Sequence, residues 1–187
     1  MADNELLKEI ALKRQLDSIA NCSTLTVPGI EYVFADILLF GDAVSVSLPA
    51  AFQPMGEESA ALKYPSVHRP EAIYSCDEGA VAITFDLSDA EASPEDIPVT
   101  LLGLRSSIKR LHPANTFFEH EVEENTGWFD YRSYAIDGDL YNILFISVIG
   151  GKLLLGSFSC PYESRHPYAP FAHKIIASVR EAQREVG

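Results

Sequence analysis

The chain has 187 residues, 47% of them hydrophobic and 22% charged, with a formal net charge of -13. That length and composition suit a domain with its own core, able to bury roughly 70% of the surface its unfolded form exposes. The acidic excess argues against nucleic acid and anionic membrane as partners, because neutralising a phosphate backbone needs clustered Lys and Arg.

Asp3 is a candidate N-cap for a helix to about Ala20, with Leu6, Leu7, Ile10, Leu16 and Ile19 on a broad apolar face. Lys8, Lys13 and Arg14 interrupt its apolar residues, so no secretory hydrophobic region is expected there. No run approaches the ~18 apolar residues of a membrane span. Cys22, Cys76 and Cys160 are far apart and odd in number, which fits reduced thiols and a cytoplasmic location. Residues 1–27 read as a helical appendage, and residues 28–187 as the main domain.

Tyr32 to Phe40 and Ala43 to Leu48 predict a hairpin turning at Gly41-Asp42, with Val44, Val46 and Leu48 buried and Ser45 and Ser47 wet. A short helix from about Glu57 to Leu62 leads into Lys63-Tyr64-Pro65-Ser66-Val67-His68-Arg69-Pro70. A second hairpin, Ala72 to Cys76 and Ala80 to Leu87, turns at Asp77-Glu78-Gly79.

Ser93-Pro94-Glu95-Asp96 combines an N-cap serine, a proline at the first helical position and carboxylates at the positive end of the dipole. Ile97, Leu101, Leu104, Ile108 and Leu111 follow at helical spacing as one buried stripe, and Pro113 stops the helix. Four strands come next: Thr116 to Glu124, Trp128 to Ile136, Leu140 to Ile149 and Lys152 to Cys160. Their connections, Asn125-Thr126-Gly127, Asp137-Gly138-Asp139 and Gly150-Gly151, are rich in residues that accept positive φ. The third strand is apolar on both faces, which places it centrally with helices covering both sides. Tyr168, Phe171, Ala172, Ile175, Ile176 and Val179 mark the core face of a closing helix. The sum is an α+β fold: an α/β/α sandwich with a mainly antiparallel sheet of six to eight strands.

This order of elements, with Val46-Ser47-Leu48-Pro49, Phe52, Leu62-Lys63-Tyr64-Pro65, Arg69-Pro70, Phe85-Asp86-Leu87-Ser88 and Gly156-Ser157-Phe158-Ser159-Cys160-Pro161, resembles the PsbP-like superfamily. That superfamily includes the DcrB-type proteins and the Ran-binding nuclear-import factor Mog, and the wording is similar to a functionally uncharacterised bacterial branch. The resemblance spans roughly Ala43 to Val179. It implies an antiparallel sheet between helical layers, and proteins that act as binding or assembly factors rather than enzymes. No Ran-binding or photosystem-binding residue maps onto this chain.

Between Arg14 and Arg105 the only Lys or Arg residues are Lys63 and Arg69, against fourteen Asp and Glu. Lys63, Tyr64, His68 and Arg69 are therefore the candidate contact residues for a protein partner: two prolines limit the backbone, Tyr64 offers an amphipathic ring, and the cations suit carboxylate or phosphate. The bland reading pairs Arg69 with Glu71 or Asp86 and makes Tyr64 an anchor, and it ranks first. No catalytic motif, cofactor fingerprint or metal-ligand spacing stands out, so no cofactor is expected. The alternative is a ligand-binding or thiol-dependent enzymatic domain, in which Cys160 joins His166 or His173 in a pocket against the sheet. Zinc on His166 and His173 lacks an obvious third ligand, and His120 among Glu119, Glu121, Glu123 and Glu124 reads as a charged strand. A third possibility makes the first helix the interaction element.

Overall fold

Alternating apolar residues build two antiparallel sheets in this chain, and only one of them is the sandwich layer anticipated above. The computed structural model describes residues 23–27, 29–76 and 79–183. The helix expected from Asp3 to Ala20, and Cys22, lie outside these residues. In chain order the elements are β1 (Thr24–Val27), β2 (Ile30–Leu39), β3 (Val44–Pro49), β4 (Gln53–Pro54), α1 (Glu57–Lys63), β5 (Ala72–Cys76) and β6 (Val81–Glu91). Next come α2 (Ile97–Leu111), β7 (Thr116–Glu123), β8 (Thr126–Ser133), β9 (Leu140–Ile149), β10 (Lys152–Pro161), α3 (Arg165–Ala177) and β11 (Arg180–Glu181).

The large sheet has seven strands in the order β4-β5-β6-β10-β9-β8-β7, and the small one has four in the order β1-β2-β3-β11. All of the pairings are antiparallel. The first hairpin thus leaves the large sheet and forms its own layer. Thr24–Val27, read from sequence as part of the appendage, pair with β2 as β1.

Strand β9 shows why the large sheet needs cover on both faces. Tyr141, Ile143 and Phe145 point into a core shared with α3 and with Tyr32, Leu39, Val44, Val46 and Leu48 of the small sheet. Leu144, Ile146 and Val148 point the other way, against Ile97, Leu101, Leu104 and Ile108 of α2. The double apolar pattern therefore reports two layers, as anticipated. Helix α2 starts one turn late: Ser93 and Asp96 form a capping box, with Ser93 N donating to Asp96 Oδ2 at 2.8 Å, and residues Pro94–Asp96 make a 3₁₀ turn before Ile97. Leu111, expected in the buried stripe, is exposed at the helix end.

Two sequence expectations shift for steric reasons. Ser45, expected wet, is only 6% exposed, because β11 pairs along β3 with Arg180 opposite Ser45. Gly127, expected in a turn, lies inside β8. A Cβ there would sit 2.7 Å from Ile97 Cγ2, so the glycine serves close helix-on-sheet packing, and Glu124 carries the positive φ of that connection instead. No helix among the described residues is long and apolar enough to cross a membrane.

Candidate functional site

Register fixes which loops meet. Cys76 pairs with Val81, Cys160 with Tyr141, and Ser133 with Leu140. The β5–β6 connection, the end of β10 and the β8–β9 loop therefore crowd one end of the large sheet. The last residue of α1 arrives at the same end.

There Lys63 Nζ donates to the carbonyl oxygen of Gly79 at 2.5 Å. Burial lowers the pKa of this amine, opposed by the thiol charge of Cys160. Tyr64 is hydrogen-bonded to Ser159 on β10, and burial raises the pKa of its phenol. Lys63 and Tyr64 thus clamp the base of the loop to the β5–β6 connection and to β10. Beyond them, Pro65 to Arg69 are exposed, with Val67 at 94%. Ser66 Oγ accepts from His68 N at 3.1 Å, which folds the tip back on itself. The pairing of Arg69 with Glu71 or Asp86 does not form: among the described residues Arg69 has no ion pair. The four candidate residues therefore divide into two braces, Lys63 and Tyr64, and two solvent-facing groups, His68 and Arg69.

A polar chain runs beneath this base on the inner face of the sheet. Tyr141 Oη donates to Asp130 Oδ2 at 2.8 Å, and the Glu119 amide donates to Asp130 Oδ1 at 2.7 Å. Burial raises the pKa of the Asp130 carboxyl, and burial together with the Asp130 charge raises that of the Tyr141 phenol. Across from Tyr141, Cys160 is fully buried, and burial pushes its thiol up to about 12 against the pull of the Lys63 cation. A thiol so placed stays protonated at neutral pH and makes a poor nucleophile. The imidazole envisaged for it is engaged elsewhere: His173 meets the Trp128 ring edge-on at 4.4 Å, and burial holds its pKa at about 4. His166 is exposed. Among the described residues no three His, Cys, Asp or Glu gather to hold a metal.

A second cluster, not evident in the sequence, lies at this end. Arg132 Cζ lies 4.1 Å from the Tyr162 ring centroid and 4.7 Å from that of Tyr134, while Arg165 Cζ lies 4.0 Å from Tyr162. Phe118 stacks on Tyr162 with centroids 6.4 Å apart. Arg132 Nε donates to Asp139 Oδ2 at 2.9 Å, and Arg132 Nη2 bonds the same oxygen. Arg132, Gly138, Asp139, Pro161, Tyr162 and Glu163 line a cleft of about 350 Å³. No short motif announces this group, since its members come from three separate segments.

No family model and no curated protein matches the chain. Among solved structures, the cyanobacterial PsbP of Synechocystis sp. PCC 6803 aligns over 78% of this chain and 91% of its own length, with a TM-score of 0.56 at 12% identity. The fold is PsbP-like. A protein from Bacteroides thetaiotaomicron VPI-5482 aligns over 81% of this PsbP-like chain, which spans 49% of that protein, with a TM-score of 0.49 at 15% identity. A Pseudomonas aeruginosa protein of unknown function aligns over 74% of this chain and 90% of its own, with a TM-score of 0.40 at 12% identity. At such identity the PsbP-like likeness is one of fold and carries no residue role.

Proposed function

We propose that this chain is a non-enzymatic binding or assembly module that holds a protein partner through the Lys63-to-Pro70 loop. The observation that carries this reading is the contrast within the loop: a clamped base at Lys63 and Tyr64 beneath an exposed tip that presents Val67 and an Arg69 with no ion pair among the described residues. A fixed base lowers the ordering cost of binding, and an apolar residue beside a guanidinium is a common anchor composition. Leu62, 85% exposed on α1, adds apolar area beside the tip. The partner surface that fits is apolar with a carboxylate rim, which Arg69 can grip with two parallel hydrogen bonds. The high thiol pKa of Cys160 supports the binding reading over a thiol-dependent enzyme.

The test is partner capture from the native cell with the full chain and a Val67→Ser/Arg69→Glu variant. Lys63 stays unchanged, because its substitution would disturb the base as well. Loss of a specific partner with an unaltered melting temperature supports the loop. Equal capture by both chains removes it.

A further inference from the structure

We propose that Asp137-Gly138, in the β8–β9 loop, is a site of spontaneous covalent modification, where the backbone of the folded protein isomerises from aspartyl to isoaspartyl. The site shares no residue with the Lys63-to-Pro70 loop. The chain contains one Asp-Gly dipeptide and no Asn-Gly. The Gly138 amide nitrogen attacks Asp137 Cγ, and the new N–Cγ bond closes a five-membered succinimide as the acid form of the carboxyl loses one water. Water then reopens the ring at either carbonyl. Attack at Cγ restores aspartate, whereas attack at the main-chain carbon leaves the backbone running through Cγ beside a free α-carboxylate. The water lost in closure is regained in opening, so composition is unchanged and no oxidant, reductant or cofactor enters.

The reaction needs an amide that is free to swing onto its neighbour's side chain, and the loop leaves Gly138 so. Tyr134 to Gly138 are five consecutive exposed residues between the end of β8 at Ser133 and the start of β9 at Leu140. No atom lies within 4 Å of where a Gly138 Cβ would stand, and its φ of +124° belongs to a region open to glycine. Gly138 N donates to Ala135 O at 3.3 Å. That is longer than an ordinary N–H···O bond, so little holds the amide back.

The loop is fastened most firmly on the far side of the dipeptide. Asp139 Oδ2 accepts from Arg132 Nε at 2.9 Å, and Asp139 O accepts from the Tyr162 amide at 2.9 Å. The extra backbone atom of isoaspartate is therefore taken up on the near side, by Tyr134 to Ile136. There the half-exposed Tyr134 ring lies 4.7 Å from Arg132 Cζ, and its hydroxyl is 3.1 Å from Thr116 Oγ1. Isomerisation shifts Tyr134 and leaves β8, β9 and the Asp139 anchor in place.

The experiment incubates the full chain for weeks at neutral and mildly acidic pH, native and in urea, beside an Asp137→Glu variant, whose longer side chain would have to close a six-membered ring. Isoaspartate is counted as methyl groups transferred from S-adenosylmethionine by an isoaspartyl methyltransferase, and is located by fragmenting the tryptic peptide from Ser133 to Lys152. The expected result is isoaspartate at position 137 of the native chain, formed faster at mildly acidic pH. Its rate should lie within about threefold of the rate in urea, because opening so exposed a loop costs almost no free energy. The same peptide from Asp137→Glu should carry none. In the isomerised chain the Tyr134 ring signals shift by NMR, while the Tyr162 amide signal and the melting temperature do not. A native rate more than about tenfold below the rate in urea, or as much isoaspartate in the Asp137→Glu peptide, overturns the proposal. A displaced Tyr162 amide overturns the assignment of the added atom to the Tyr134 side.

Discussion

Lys63 Nζ and the carbonyl oxygen of Gly79 meet at 2.5 Å, joining the end of α1 to the β5–β6 connection. The bond makes the loop's first cation a structural element and leaves Arg69 as its outward charge. Lys63→Met removes the donor but keeps the aliphatic stem, so it isolates that bond. The expected loss is about 1 kcal/mol of stability, read by urea unfolding. A variant as stable as the parent would show that desolvation of the amine already cancels the bond.

His173 makes stability depend on pH. Burial against Trp128 lowers its pKa from 6.5 to about 4, so between those values the unfolded chain binds a proton that the folded chain refuses. Stability is full above about pH 6.5 and falls by about 2–3 kcal/mol as pH drops to about 4. Asp130, whose pKa is raised, acts in the opposite sense near the acid end, so comparison with a His173→Gln variant isolates the imidazole. That variant is expected to show a shallower acid slope in urea unfolding between about pH 7 and about pH 4.5; an identical slope would contradict the assignment.

Gly156 and Phe145 face each other across β10 and β9, and a Cβ at position 156 would lie 2.0 Å from Phe145 Cζ. The ring fills the space over the glycine and meets Phe85 edge-on, with centroids 6.0 Å apart. Gly156→Ala is expected to cost about 3 kcal/mol, because both aromatic residues are fully buried. Adding Phe145→Leu should recover part of that loss in a double-mutant cycle. Purely additive effects would place the cost in the backbone of β10.

Tyr141→Phe removes the hydroxyl that donates to Asp130 Oδ2. The buried carboxyl keeps the Glu119 amide but loses a partner, at an expected cost of about 1–3 kcal/mol in chemical denaturation. An unchanged midpoint would mean that water takes the place of the phenol.

Local patterning made most of the fold legible. The alternation on β9 located a strand covered on both faces, and Ser93 with Pro94 located the start of α2 to within one turn. Layer assignment was harder to read, because the Val44, Val46 and Leu48 stripe is equally satisfied by the face of the large sheet or by α3. Only the pairing of β1 and β11 with β2 and β3 distinguishes them. At the candidate site, the charge anomaly of Lys63 and Arg69 was visible, but the inward turn of Lys63 depends on Gly79, sixteen residues away. The Arg132, Tyr162 and Arg165 cluster was invisible for the same reason, since strand register alone brings its parts together.

Contact between the tip of the Lys63-to-Pro70 loop and a partner is open to site-specific photo-crosslinking in the native cell. A photoreactive residue replaces Val67, and a matched control replaces Val99 on α2, which is also exposed, at 68%. One discrete crosslinked species is expected from position 67, abolished by Arg69→Glu, and none from position 99. A crosslink from position 99 with none from position 67 would contradict it.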